Sequence, residues 1–597
     1  MITPNDILGS TSFGAGLSDA TRRALLGRGR AICIAGGRAL FVAGSPPDAV
    51  YLVMSGRLII VREAAEDGGD DSVIGYVRAG EIVGEMSMLD GGPRTASAYA
   101  LRDTELIALD AGVVRRLMAK RADFAASVAR TILRRSRAPK GDSVKAPPRV
   151  FAVVAPSPSV DAAYIARDLS TRIKFLQKKA KVLPEPESAT ATAEVEVSMH
   201  GEEEAVDVLF LPCRIGDSDW YRFCMRHADR ILVCARRDAR PPTPLPLTTD
   251  EASPARRFRL VDLVAIHEGQ GPGWTRDWVR ETDADRVFHW GDEASKDRLA
   301  RAIAGRSLGL CLSGGGARAY AQFGVIKELR RRGAPLDFVG GASMGAVIAA
   351  CVAMGWGLDE IDARLRDAFV DTNPLSDHIL PVIALTRGAR VDERLKRHFG
   401  EKLIEDLELP FFCVSSELTR GVVRVHRRGV LREALRASIS LPGLLPPVVD
   451  GDQLLVDGAV LNNFPVDVMR TRHRGLTIGV DVAREGTIAA EAFVNPPSFV
   501  NWVREHGLSA APPIVSLLMR AATAGRPFAL GSEAPDILVT PDAPGVDLRD
   551  WKKFDLAVDD GLIAARTAFD AASWALQPYC REAPEVRASE VGLAAHG

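Results

Sequence analysis

Apolar and polar positions alternate along the chain in three successive rhythms. From Ile7 to about Arg137, short β-favouring runs are separated by glycine turns: Arg38 to Val42, Ala49 to Val53, Arg57 to Arg62, Ser72 to Val77 and Glu105 to Leu109. This spacing predicts a small all-β barrel or roll, closed by helices over Asp110 to Lys120 and Asp123 to Arg135. From Arg149 to about Arg306 the rhythm lengthens. Apolar strands at Arg149 to Ala155, Val206 to Pro212, Arg230 to Ala235, Leu260 to His267 and Arg286 to Trp290 alternate with helical intervals at Val160 to Lys178, Trp220 to His227 and Thr275 to Glu281. That alternation predicts an α/β layer with a parallel sheet and Rossmann-like winding.

The third rhythm runs from Ser307 to about Pro578. Ser307 to Leu312 reads as a strand, Tyr320 to Arg332 as an amphipathic helix, Leu336 to Val339 as a second strand and Ala346 to Met354 as a second helix. Asp452 to Val456 and Leu476 to Val482 are further strands, and Asp547 to Leu576 an amphipathic helical ending. Phe499 to Ala524 is mixed, with an apolar helical piece at Ile514 to Ala522 that reads as core. The expected domains are therefore 1–137, a polar Pro-containing linker at 138–148, 149–306, 307–580 and a loose tail at 581–597.

A chain of 597 residues is too long for one ordinary core. Lys+Arg 76 against Asp+Glu 77 leaves a net charge of −1, so no global bias toward nucleic acid or an anionic membrane follows. The basic run Arg130, Arg134, Arg135, Arg137 and Lys140 reads as a solvated helix end. No helix-turn-helix follows it, and no nucleic-acid partner is expected. The eight cysteines are scattered without a C-x-x-C, as suits buried thiols in a reducing cytosol. His267 and His289 show no metal spacing and read as core or surface residues. Met1 to Ser10 lacks the features of a signal peptide. Phe338 to Leu358 is uncharged, but its glycines and internal strand-to-helix change argue against a membrane span. A cytoplasmic protein is expected, peripheral at a membrane surface when it meets lipid.

The candidate chemistry lies between the paired strands and helices of the third segment. Gly341-Ala342-Ser343-Met344-Gly345 has the form G-x-S-x-G at a strand-to-helix corner. Gly341 and Gly345 allow a tight turn that presents the Ser343 hydroxyl at a helix N-terminus. Upstream, Ser313-Gly314-Gly315-Gly316-Ala317-Arg318 follows a strand and precedes a helix, so its backbone N–H groups can converge on one anion. It is neither a dinucleotide fingerprint, since Ala319 holds the sixth position, nor a P-loop, since Gly-Lys-Ser/Thr is absent. Downstream, a strand delivers Asp457 into Asp457-Gly458-Ala459, followed by Asn462-Asn463-Phe464-Pro465.

With these three motifs the chain resembles a patatin-like phospholipase. Leu435 to Gly443 and Pro446 to Val448 resemble the family's stretch ahead of the aspartate. The resemblance implies a Ser–Asp dyad without histidine: Ser343 as nucleophile, Asp457 as its base, and Gly314, Gly315, Gly316 and Arg318 as an oxyanion hole built mainly from backbone N–H groups. Two positions depart from the pattern. Ala319 stands where glycine is usual, and Gln322, where histidine is common, reads as a packing or hydrogen-bonding change. The resemblance implies phospholipid or lysophospholipid substrates, lysophospholipids preferred, with transient membrane-surface contact and no metal or cofactor.

In the first segment, Gly84 to Ser97 (GEMSMLDGGPRTAS) brackets a helix-like turn with Glu85 and Arg94. Arg94 can pair bidentately with a phosphate and Glu85 can accept from a ribose hydroxyl. This stretch, with Tyr51 to Leu58, resembles the cyclic nucleotide-binding domains. That implies a cyclic nucleotide effector, cAMP or cGMP, held by Gly84, Glu85 and Arg94 with Thr95 against the purine. The competing reading is a structural Glu85–Arg94 ion pair. In the middle segment, Pro156 to Val160 offers no glycine or lysine to cradle phosphate, and the domain reads as a spacer or coupling element. The whole order resembles bacterial relatives of neuropathy target esterase. Two rival functions stay open: an α/β-hydrolase triad using His473 or His506, and a cyclic-nucleotide sensor whose hydrolase-like domain is a passive interaction module.

Overall fold

In the computed structural model the short β-rich runs of the first segment pair into two antiparallel sheets. The structure describes residues 13–62, 72–137, 148–188, 205–239 apart from 217, 260–267, 274–372, 383–482, 534–548 and 550–580, with isolated positions beside these. The linker apart from Pro148, the tail, the Phe499 to Ala524 stretch apart from two isolated positions, and His506 lie outside the described residues. The chain divides into two compact units, Met1–Gly269 with Asp277–Ala304, and Gln270–Arg276 with Gly305–Gly597.

In the first unit the strands are β1 (Arg30–Ile34), β2 (Ala39–Phe41), β3 (Ala49–Ser55), β4 (Arg57–Arg62), β5 (Ser72–Arg78), β6 (Ile82–Val83), β7 (Ser97–Ala100) and β8 (Thr104–Asp110). One sheet runs β1-β8-β3-β6 and the other β2-β7-β4-β5. The helices of this roll are α1 (Asp19–Arg28), α2 (Glu85–Asp90), α3 (Ala111–Lys120) and α4 (Ala122–Arg137). Leu25, Val50, Leu52, Ile82, Leu117 and Phe124 form the apolar seam. Each such side chain contributes about 1.5–3 kcal/mol by leaving water. The patterning misses β1 and α1 for one reason: β1 is largely exposed, and α1 buries only Thr21 and Leu25. Neither carries a strong apolar face.

A six-stranded sheet follows in the same unit: β9 (Val150–Ala155), β10 (Ala180–Val182), β11 (Val208–Arg214), β12 (Arg230–Arg236), β13 (Leu260–Ile266) and β14 (Arg286–Trp290). Its order is β10-β11-β9-β12-β13-β14, with every pairing parallel. A strand buried on both faces reads as a continuous apolar run, and all six residues of β9 are buried. Helix α5 (Ala162–Phe175) is shorter than the Val160 to Lys178 expectation, because Asp161 caps its start and accepts the Tyr164 N–H at 2.8 Å.

The roll and this sheet share a buried ionic cluster. Arg102 Nε lies 3.2 Å from Asp229 Oδ1 and its Nη2 2.5 Å from Glu203, while Arg57 Nη1 is 3.8 Å from Asp229. Asp229 Oδ2 also accepts the N–H groups of Arg149 and Val150 at 2.8 and 3.2 Å. Burial pushes the Asp229 carboxyl up, but the Arg102 and Arg57 guanidiniums outweigh it and the pKa ends below the usual range.

The second unit is built on β15 (Ser307–Leu312), β16 (Phe338–Ala342), β17 (Phe411–Glu417), β18 (Val422–His426), β19 (Val448–Asp450), β20 (Gln453–Asp457), β21 (Gly475–Val480) and β22 (Ile537–Val539). The order is β19-β20-β17-β16-β15-β21-β22, with β18 also on β17. Its centre is parallel, and β20 runs antiparallel to β17. Helices α6 (Tyr320–Arg331), α7 (Ser343–Ala353), α8 (Leu431–Ser438) and α9 (Phe554–Ala571) cover it. Strand β16 and helix α7 abut at the Ala342–Ser343 junction, whereas the sequence reading ends the strand at Val339 and begins the helix at Ala346. Small residues read as breakers in isolation. Here they are buried in a central strand and a close-packed helix. The stretch Phe338 to Leu358 thus resolves into a strand and a helix of 11 residues. Among the described residues no helix is long and apolar enough to cross a membrane. All eight cysteines are free thiols.

Candidate active site

Ser343 occupies the first position of α7 with φ +51°. A non-glycine residue in the left-handed region is strained by about 1–3 kcal/mol and persists only where its surroundings fix it. Two hydrogen bonds do so. The Ser343 N–H donates to Ser438 Oγ at 3.0 Å, and Ser343 Oγ donates to Asp457 Oδ2 at 2.7 Å. The corner also needs close backbone approach. A Cβ on Gly345 would fall 2.4 Å from the Ser313 carbonyl oxygen, and one on Gly314 would fall 2.9 Å from Ser343 Cβ.

Asp457 ends β20 and is 1% exposed. Its Oδ1 accepts the Ala459 N–H at 2.8 Å, leaving Oδ2 for Ser343. Burial raises its pKa from 3.8 to about 7, against the lowering effect of these two hydrogen bonds. A carboxylate of ordinary acidity is a poor base toward a serine hydroxyl. One raised to this range is better matched to proton transfer near neutral pH.

The glycine loop is anchored at several points. Ser313 N–H donates to the Val480 carbonyl at 3.0 Å, Gly314 N–H to Asn463 O at 3.1 Å, Ala317 N–H to Leu548 O at 2.8 Å and Arg318 N–H to Gly315 O at 3.2 Å. Gly314 and Arg318 are therefore corrected as amide donors, because other carbonyls take their N–H groups. Among the described residues, the Gly315 and Gly316 N–H groups carry no acceptor. Gln322, fully buried, donates from Nε2 to the Ser313 carbonyl at 2.7 Å and secures the start of the loop. Ala319 is buried in the 3-10 turn Gly316–Ala319 that leads into α6.

The pattern of the patatin-like phospholipases matches residues 310–470, and that of the cyclic nucleotide-binding domain matches residues 32–121. An NTE family protein of Mycobacterium tuberculosis (strain ATCC 25618 / H37Rv) is 33% identical over 552 residues, covering 89% of this chain and 90% of the relative. The chain belongs to the NTE family. Human patatin-like phospholipase domain-containing protein 6 is 26% identical over 512 residues, which span 75% of this chain and 37% of that longer protein. The second unit of this NTE family chain thus carries a patatin-like phospholipase domain, and the first unit carries a cyclic nucleotide-binding domain.

Two residues that motif reading did not assign hydrogen-bond into the Ser343 elbow and the glycine loop. Ser438 is fully buried, donates from Oγ to the Val414 carbonyl at 2.7 Å and accepts the Ser343 N–H. Asn463 donates from Nδ2 to the Gly314 carbonyl at 3.2 Å. Both lie in stretches that resemble the family, but their bonds cross to distant backbone, which no local pattern announces. His473, offered for a triad, is corrected. Its ring nitrogens face Ser307 Oγ and Thr477 Oγ1, each at 3.1 Å. Ser307 begins β15, whereas the opposite end of that strand, Leu312, pairs with Gly341, two residues before Ser343.

In the nucleotide-binding domain of this NTE family chain, Gly84 caps α2 with φ +86° and Glu85 is buried. Glu85 pairs with Arg135 of α4. Arg94, 2% exposed, donates to the Gly84 carbonyl at 2.8 Å, Ala49 O at 2.6 Å and Asp48 Oδ1 at 3.0 Å, and stacks on Phe41. The competing reading of a structural Glu85–Arg94 ion pair is thus corrected, because each charge has a different partner. Thr95 is exposed.

Proposed function

We propose that this chain is a serine acyl-ester hydrolase of the patatin-like type, acting on lysophospholipids or phospholipids through Ser343 and Asp457. The observation that carries the reading is the 2.7 Å hydrogen bond from Ser343 Oγ, on a strained elbow, to a buried carboxylate of raised pKa.

In this reading Ser343 Oγ attacks the ester carbonyl carbon while its proton passes to Asp457 Oδ2. The carbonyl oxygen, now an anion, is received by the N–H groups of Gly315 and Gly316. Collapse of the tetrahedral intermediate breaks the ester C–O bond, and the leaving alcohol takes the proton from Asp457. Water then attacks the acyl-Ser343 carbonyl, giving its proton to Asp457. The second collapse releases the fatty acid and returns the proton to Ser343 Oγ. The roles of Gly341 and Gly345 are conformational.

A single-chain lysophospholipid is the favoured substrate because it can leave a membrane surface and enter a pocket. The test is fatty-acid release from lysophosphatidylcholine by the purified chain and by Ser343→Ala. Release by wild type alone supports the reading. Equal release by both proteins overturns it.

The first unit supplies the proposed regulation. A cyclic nucleotide entering at Gly84, Glu85, Arg94 and Thr95 has to compete with Asp48 for Arg94 and with Arg135 for Glu85. Exchange of these partners on α4 and the β2–β3 segment gives two states that a ligand can bias. Equal hydrolysis rates with and without saturating cAMP or cGMP would dispose of that control. The domain bounds 1–137, 149–306 and 307–580 form part of the same proposal, with the middle domain as coupler.

A further inference from the structure

We infer that Ser438 is a positioning residue that holds Ser343 and Asp457 in register. The inference rests on the reading of Ser343 as a nucleophile. Ser438 is the last residue of α8 and touches three separate parts of the site. Its Oγ accepts the Ser343 N–H at 3.0 Å and donates to the Val414 carbonyl of β17 at 2.7 Å. Its own carbonyl accepts the Gly458 N–H at 3.2 Å, and two residues on, the Ser440 carbonyl accepts the Asp457 N–H at 2.9 Å.

The local physics explains why this position can do so. The last carbonyls of a helix lack intrahelical donors and need partners from outside. Here the amide that follows Asp457 supplies one. The hydroxyl does the complementary work on the other side. It must accept from one backbone group and donate to another at the same time, which only a hydroxyl does in so small a volume. Ser343 N–H and Val414 O are both left without partners if it is removed, at a site buried from water. Ser343 N–H belongs to the residue with φ +51°, the conformation that needs most external support. One short segment therefore fixes the backbone of the nucleophile through a side chain and the backbone of the base through carbonyls.

The experiment compares full-length wild type, Ser438→Ala and Ser438→Thr in three measurements. These are kcat and KM on a 4-nitrophenyl ester, the pH profile of kcat/KM, and the rate at which a fluorophosphonate labels Ser343. Ser438→Ala is expected to lose about 100-fold in kcat and in labelling rate, with KM within about 3-fold of wild type, as suits a misplaced nucleophile. Its acidic limb is expected to move to higher pH, because a weaker bond from Ser343 leaves Asp457 harder to ionise. Ser438→Thr keeps the hydroxyl and is expected to restore the rate to within about 3-fold. Wild-type kcat and labelling in Ser438→Ala overturn the inference, as does a threonine variant no faster than the alanine variant. If Ser438→Ala does not fold, Ser438→Cys, similar in volume and weak in hydrogen bonding, is held to the same limits. A wild type that is not labelled at Ser343 overturns the functional reading, and this inference with it.

Discussion

Ser343 and Asp457, 114 positions apart in the chain, meet at 2.7 Å because one strand sets both. On β17, Val414 pairs with Ala342, the residue before the serine, and the next residue, Ser415, pairs with Asp457. Consecutive rungs of one strand, one parallel and one antiparallel, thus deliver the two groups to the same place. The parallel rung comes from β16 and the antiparallel rung from β20.

The raised pKa of Asp457 has a consequence for rate. Asp457 must be ionised to take the serine proton, so hydrolysis is expected to rise through about pH 7. At two pH units below that value the rate should be about one-hundredth of its plateau. A kcat/KM profile checks it. A limb near pH 4 would show a carboxylate of ordinary acidity.

The same burial bears on stability. In the folded chain Asp457 holds its proton up to about pH 7, against 3.8 for the unperturbed group. The folded state therefore binds the proton more tightly. Its contribution to stability is present in full below pH 3.8 and is lost as pH rises toward 7, by at most about 4 kcal/mol. Asp457→Asn carries no charge to bury. It is expected to unfold at a higher temperature than wild type at pH 8 while losing hydrolysis, as thermal denaturation of both proteins would show.

Gly314→Ala tests the closeness of the glycine loop to the elbow. The added Cβ would lie 2.4 Å from Asn463 Oδ1 and 2.9 Å from Ser343 Cβ. Something must shift, and the nearest groups belong to the site. Loss of about 100-fold in kcat/KM is expected, with a stability cost of about 1–3 kcal/mol. Steady-state kinetics and urea unfolding separate the two effects.

His473→Ala distinguishes a dyad from a triad. His473 bonds Ser307 and Thr477 and stacks on Phe338. Its removal is expected to cost about 1–3 kcal/mol of stability and to leave kcat within about 3-fold of wild type. Near-total loss of turnover in a folded variant would return histidine to the mechanism.

The strand, glycine turn and helix around Ser343 and the glycine loop are legible because they are local features, whereas the part given to Asp457 comes from the family resemblance. The sequence pattern ends β16 early, at Val339, since Gly340, Gly341 and Ala342 are weak strand formers that only burial between β15 and β17 makes extended. Which loop amides are free was not legible. Gly314 N–H is taken by Asn463 O, and that bond joins residues from separate motifs. The partners of Glu85 and Arg94 were hidden for the same reason. Arg135 and Asp48 reach them from other elements.

Asp229 offers a test in the first unit. Its carboxylate faces both Arg102 and Arg57, and it also accepts two backbone N–H groups. Asp229→Ala removes a buried carboxylate facing both Arg57 and Arg102, of which Arg102 keeps Glu203, and is expected to cost about 3–5 kcal/mol. Chemical denaturation of the full chain would measure it.

The pairing of Ser343 with Asp457 is tested most directly by fatty-acid release from lysophosphatidylcholine with wild type, Ser343→Ala and Asp457→Asn side by side. Turnover by wild type, with both variants reduced about 1,000-fold or more while folded, is the expected result. Wild-type turnover by folded Asp457→Asn would contradict the account, because the hydroxyl would then be activated by a group other than its 2.7 Å partner.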